Sequence, residues 1–121
     1  MASKINFGII GCSSVAKNSF LPAILKTNHA GLEYVGSRSI SKSKFIARKF
    51  HCKNFGNYDD VLENKKIDVV YISLPIALQE KWIMKAAKAG KHVLCEKSST
   101  VSYNSAQKIV KECKKNGVRI M

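Results

Sequence analysis

The chain has 121 residues, 45% of them hydrophobic and 24% charged, which suits one soluble domain able to bury a core without metal or disulfide support. Its formal net charge is +13, from 21 Lys plus Arg against 8 Asp plus Glu, but the lysines are scattered and no aromatic-interleaved basic stretch occurs, so a solvated surface that also steers anions is expected ahead of specific nucleic-acid binding. No apolar run is long enough to span a bilayer, the N-terminus lacks the apolar block of a secretory signal, and a cytoplasmic location without membrane partners is the default expectation.

Short apolar runs alternate with longer periodic segments, which read as strands and helices respectively. Residues 5–11 form an apolar run closed by glycine and are predicted to be a buried strand. Residues 15–26 follow as a helix, with a break expected near Pro22, which has no N–H to donate. Residues 32–37 are the second strand. Residues 41–50 are helical, with Ser41 as N-cap and Phe45, Ile46, Ala47 and Phe50 as the apolar stripe. Residues 54–55 make a short third strand and 57–63 a brief helix, with Asp59 and Asp60 in its favourable first turn. Residues 67–73 are apolar almost throughout, as befits a parallel strand buried on both faces. Residues 78–89 read as a helix stopped by Gly90, and 92–95 as a fifth strand. Residues 102–116 are a helix with Ala106, Ile109, Val110 and Cys113 on one face and Gly117 behind it. Residues 118–121 are a sixth strand.

This alternation implies a three-layer α/β fold: a doubly wound parallel sheet of order 3-2-1-4-5-6 with helices on both faces. Residues 1–121 are read as one dinucleotide-binding Rossmann domain. Cys12, Cys52, Cys95 and Cys113 form no CxxC pair and have no zinc-ligand spacing with His29, His51 or His92. Reduced, mostly buried thiols and no metal site are expected.

Four segments carry candidate chemistry. Gly11, Cys12, Ser13, Ser14 and Val15 lie on the first strand–helix turn, where the dinucleotide signature G-x-G-x-x-G/A belongs. Gly11 permits the tight turn, and Ala16 lets the helix pack closely on the strand. Ser13 stands at the second glycine position; its hydroxyl and that of Ser14 offer donors for a pyrophosphate beside the helix N-terminus. A plain tight turn would also explain this degenerate match. Gly36-Ser37-Arg38-Ser39 ends the second strand without the acid that binds a ribose 2′-hydroxyl. Ser37, Arg38 and Lys42 offer cations and a hydroxyl instead, so NADP is the expected cofactor and NAD the alternative. Leu74, Pro75 and Gln79 follow the fourth strand, beside the topological switch point where open α/β sheets bind ligands. Glu96 and Lys97 stand at the tip of the fifth strand, where a lysine can donate to a substrate oxygen and stabilise alkoxide character during hydride transfer. His92 reads as a structural strand residue.

Together these segments resemble the N-terminal domain of the glucose–fructose oxidoreductase, inositol dehydrogenase and rhizopine-catabolism (Gfo/Idh/MocA) family. The most specific match is AGKHVLCEK at 89–97, supported by FGIIGCSSVA at 7–16, LPAI at 21–24, the Ser37-Arg38 pair, NYDDVL at 57–62 and IDVVYISLP at 67–75. The resemblance implies NAD(P)-dependent hydride transfer at a hydroxyl or keto carbon of a sugar, cyclitol or sugar nucleotide. It implies that Lys97 is the catalytic lysine and that Glu96 contacts the nicotinamide ribose. Gly11, Cys12, Ser13, Ser14 and Val15 become the pyrophosphate turn, and Ser37, Arg38 and Lys42 the adenosine-phosphate loop. Ser98 stands where the family has proline, and Ile76 and Gln79 where it has asparagine and histidine. The family's second domain supplies most of the substrate pocket and the usual oligomer interface. The 121 residues are therefore expected to be the cofactor part of a longer, homo-oligomeric enzyme and inactive alone. The alternative is a non-catalytic Rossmann module for nucleotide sensing or protein interaction.

Overall fold

The computed structural model describes residues 4–95 and 102–121. Five parallel strands form one sheet in the order β3-β2-β1-β4-β5. They are β1 (Ile5–Ile10), β2 (Ala30–Gly36), β3 (Phe55–Gly56), β4 (Val69–Ile72) and β5 (His92–Cys95). The order reverses between β1 and β4, which makes the sheet doubly wound. Ile10 lies opposite Gly36 on one side and Ile72 on the other, so Gly11, Ser37 and Ser73 leave the sheet side by side. The sixth strand is reduced to a parallel bridge between Val93 and Ile120. The backbone still docks there: Val93 N donates to Arg119 O (2.8 Å), Met121 N to Val93 O (2.9 Å) and Cys95 N to Met121 O (2.9 Å). Residues 119–121 thus take the sixth place beside β5.

Each face of the sheet carries its own core. On one face, Ile9, Val35 and Tyr71 pack against Ala16 and Leu21 of the first helical segment and Ile46, Ala47 and Phe50 around α2 (Ile40–Lys49). On the other, Ile10, Val70, Ile72 and Val93 meet α3 (Tyr58–Glu63), α4 (Ile76–Lys88) and α5 (Tyr103–Lys115) through Val61, Trp82, Ile83 and Ile109. All four residues of β4 are buried, so its sequence is apolar without alternation. Gly90 and Gly117 take positive φ after α4 and α5, as helix-stopping glycines do. No helix among the described residues is long and apolar enough to cross a membrane.

Several local expectations are corrected. The first helix is not broken at Pro22. Ala16–Phe20 form a π-helical turn, in which Leu21 N–H reaches back to Ala16 O, and α1 (Leu21–Lys26) continues with Pro22 in its first turn. The longer hydrogen-bond step resets the helix, so proline sits at a start, where its missing N–H is tolerated. The N-cap of α2 is Ser39, not Ser41; Ser39 Oγ accepts from Lys42 N at 3.3 Å. Phe45 is 66% exposed, because 43, 46, 47 and 50 share the inner face and Ser43 takes the fourth place. Val110 is exposed on α5, whose inner face carries Ser105, Ile109 and Cys113. Helix α4 starts at Ile76, directly after Pro75.

Two polar devices tie the frame together. Asn57 and Asp60 form a reciprocal capping box at α3, both bonds 2.9 Å. Lys91 is buried at the start of β5, and its ammonium donates to Asn64 O (2.6 Å) and Ile67 O (2.9 Å). Desolvation lowers its pKa, with the charge of Asp68 opposing. His92 has a structural bond, its Nδ1 accepting from Arg119 N at 3.0 Å. No disulfide joins the cysteines; Cys12, Cys52 and Cys113 are buried, and desolvation raises all three thiol pKa values.

Candidate functional site

The site is built where β1, β2, β3 and β4 end. Gly11 N donates to Gly36 O (3.1 Å), Ser37 N to Gly56 O (3.0 Å) and Ser73 N to Ile10 O (3.1 Å). Ser73 Oγ adds a bond to Gly11 O at 3.3 Å. Gly11 has φ +99, and a Cβ there would come within 3 Å of the Ser73 carbonyl oxygen and the Leu74 side chain. Both the backbone conformation and the close approach therefore require glycine. Ser13 Oγ accepts from Ala16 N at 3.1 Å, so its oxygen caps the helix and its hydroxyl proton is what remains to offer a ligand.

A cavity of about 250 Å³ opens at these strand ends. Gly11, Cys12 and Ser13 line it from the first turn, and Ser37, Arg38, Ser39 and Lys42 from the β2–α2 turn. Ser73, Leu74 and Pro75 line it from the end of β4, and Tyr58 from α3. Among the described residues, no acidic side chain lines it. Arg38 and Lys42 are exposed and form no ion pair among the described residues. Burial keeps the Cys12 thiol neutral against the pull of the Lys42 charge. The cavity is therefore cationic, hydroxyl-rich and open, a setting suited to an anion.

A second, more apolar cavity of about 260 Å³ is lined by Val15, Ser19, Phe20, Tyr71 and Leu94. Phe20 stacks on Tyr71 with centroids 3.9 Å apart. Larger hollows run along the outer face of α5, about 480 Å³, and beside Glu33, Lys53 and Lys66, about 490 Å³. Neither includes the glycine turn. Among the described residues, no cluster of His, Cys, Asp and Glu is placed to hold a metal ion.

The first cavity brings together Gly11, Cys12, Ser13, Ser37, Arg38, Lys42, Leu74 and Pro75 from the sequence-based set. Val15 opens on the apolar cavity instead. Ser14 is exposed and lines neither. Gln79 is 1% exposed, on the inner face of α4, and does not line the cavity. Glu96 and Lys97 lie outside the described residues. Ser39 and Ser73 also line the first cavity and fall in the candidate segments after β2 and β4 without an assigned role, whereas Tyr58 lies outside all four segments. Ser73 was within reach, being the last residue of an apolar strand at the switch point. Tyr58 gave no local sign, because its place depends on how α3 packs over the sheet.

The family described as "Oxidoreductase family, NAD-binding Rossmann fold" (GFO_IDH_MocA) matches residues 5–121. Among similar proteins is the dTDP-3,4-didehydro-2,6-dideoxy-alpha-D-glucose 3-reductase of Streptomyces violaceoruber, 35% identical over 114 residues, covering 94% of this chain and 33% of that protein. Another is D-xylose 1-dehydrogenase (NADP(+)) 2 of Haloferax volcanii, 32% identical over 116 residues, covering 95% of this chain and 35% of that one. In structure, the chain is similar to KijD10, a 3-ketoreductase from Actinomadura kijaniata solved with TDP-benzene and NADP. The TM-score is 0.94 and the identity 31%, covering 98% of this chain and 38% of that one. The chain spans about a third of the length of the curated relatives it matches.

Proposed function

This chain belongs to the Gfo/Idh/MocA oxidoreductase family, and from that premise we propose that its cationic cavity holds the adenosine-phosphate end of NADP. The observation that carries the reading is the pairing of two cations, Arg38 and Lys42, with the Gly11 turn in one cavity, with no acidic lining group or ionic partner among the described residues. The Gly11 turn, which lines the cavity, takes the pyrophosphate, and Ser13 donates its hydroxyl to it. Ser37, Arg38 and Lys42 take the 2′-phosphate, which a guanidinium and an ammonium recognise by charge and geometry. Leu74 and Pro75 wall the cavity from the β4 side. When bound, the nicotinamide supplies or accepts hydride. Val15 lies beside the second, more apolar cavity and offers an apolar contact next to the pyrophosphate turn.

The whole protein would then be an oxidoreductase acting on a hydroxyl or keto carbon of a sugar, cyclitol or sugar nucleotide, as the names of its relatives support. Lys97 is the proposed proton donor to the substrate oxygen, and Glu96 the proposed contact to the nicotinamide ribose. The substrate pocket and any homo-oligomer contact fall to a further domain, so these 121 residues alone are expected to bind cofactor without turning over substrate. Titration of the chain with NADP and NAD by calorimetry tests this. Saturable binding that favours NADP is expected, and Arg38→Asp should shift the preference toward NAD. A folded chain that binds neither dinucleotide would defeat the reading.

A further inference from the structure

One lining group of the cavity has no part in the reading above. Tyr58 is 9% exposed. Its ring meets Trp82 edge-on, centroids 4.9 Å apart and planes at 77°. The capping box on the preceding residue, Asn57, sets the start of α3, so the ring is positioned from the backbone side as well. No hydrogen bond joins its hydroxyl to another described residue, and the oxygen is not among the buried unpartnered atoms, so it is open to a ligand or to water. The hydroxyl is not sealed in the core, because Tyr58 lines the same cavity as Arg38 and Lys42. Burial pushes the phenol's pKa up, and Arg38 is near enough for its charge to oppose that push. At neutral pH the group is therefore a protonated donor on a rigid mount, near Arg38.

We propose that Tyr58 is a specificity-determining residue for NADP, its hydroxyl donating to the adenosine 2′-phosphate that Arg38 and Lys42 neutralise. The inference rests on the reading of this cavity as an NADP site. Arg38 and Lys42 are exposed side chains that supply charge but lose rotamer freedom when they grip a phosphate. A phenol already fixed by ring packing adds a donor without that loss. A hydrogen bond to a doubly charged phosphate is charge-assisted, whereas NAD presents a neutral hydroxyl at the same place. Tyr58 should thus separate the two dinucleotides rather than tighten both.

The test is Tyr58→Phe in the whole chain, with dissociation constants for NADP and NAD measured by calorimetry beside wild type. Phenylalanine keeps the ring and its contact with Trp82, and the chain's only tryptophan reports the fold by fluorescence. The expected result is NADP binding weakened about tenfold with NAD binding changed by less than about twofold. Two results would overturn the inference: unchanged affinity for both dinucleotides, or equal loss of both, which would make Tyr58 merely structural. In either case wild-type binding of NADP leaves the cofactor reading standing. A wild-type chain that binds neither dinucleotide removes both.

Discussion

Arg38 and Lys91 are cations at the carboxyl and amino edges of one parallel sheet, after one strand and before another, and they have opposite circumstances. Arg38 follows the carboxyl end of β2, exposed, beside an open cavity and without an ionic partner among the described residues. Lys91 precedes the amino end of β5, buried, with two backbone carbonyls on its ammonium. The first is a charge left open beside a cavity; the second is a charge already used to tie a loop to a strand. In a chain of net charge +13, sign and residue type therefore say little about function. What separates a binding cation from a structural one is open space without a partner.

The comparison can be broken most severely at the turn on which the cavity depends. Gly11→Val puts a β-branched side chain at φ +99 and against the Ser73 carbonyl. Stability should fall by about 3 kcal/mol or more, read by urea unfolding at Trp82 fluorescence; a loss below about 1 kcal/mol would mean that the turn has room.

Lys91→Met tests the other edge. It keeps much of the stem but strips the donors from Asn64 O and Ile67 O, so about 2 kcal/mol of stability should be lost while NADP affinity stays unchanged. Weakened NADP binding in a folded Lys91→Met chain would erase the distinction between the two edges. Arg38→Ala should behave in the reverse way. It should weaken NADP about tenfold and leave stability within about 0.5 kcal/mol of wild type.

The smallest expected effect is on pH dependence. Cys12, Cys52 and Cys113 have raised pKa values, so the folded chain holds their protons to higher pH than the unfolded chain does. Stability is then lost as pH climbs past the ordinary thiol value of 9.0. Tyr34 and Tyr58 act in the same direction above their ordinary value of 10.0. Lys91 works in the opposite direction: its lowered pKa means that the unfolded chain binds the extra proton, and stability is regained up to the ordinary lysine value of 10.5. A net alkaline loss of melting temperature is expected, steeper in Lys91→Met; a flat profile in both proteins would contradict the buried placement of these groups.

Much of the fold was legible because each element carried its own local signal. The unbroken apolar run of β4 marked a strand buried on two faces, and Gly90 and Gly117 marked the ends of α4 and α5. The lining of the cavity was legible where chain position alone places a residue, as for Gly11 after β1 and Arg38 after β2. Other features were settled by competition or by distance. Ser39 and Ser41 offer the same capping hydroxyl two residues apart, and only the backbone geometry decides between them. Pro22 looked like a break because proline rules describe an α-helix, whereas the chain inserts a π turn ahead of it. The partners of Lys91 lie 24 and 27 residues away, and Tyr58 reaches the cavity through the docking of α3, so neither role leaves a mark on neighbouring sequence.

The most direct measurement uses the adenosine half of the cofactor alone. Adenosine 2′,5′-bisphosphate and adenosine 5′-monophosphate differ by the one phosphate assigned to Arg38, Lys42 and Tyr58, and neither needs a nicotinamide pocket or a second domain. Titrated into the whole chain at fixed salt, the bisphosphate should bind at least about tenfold more tightly. Equal affinity for the two nucleotides, in a folded chain, would contradict the account.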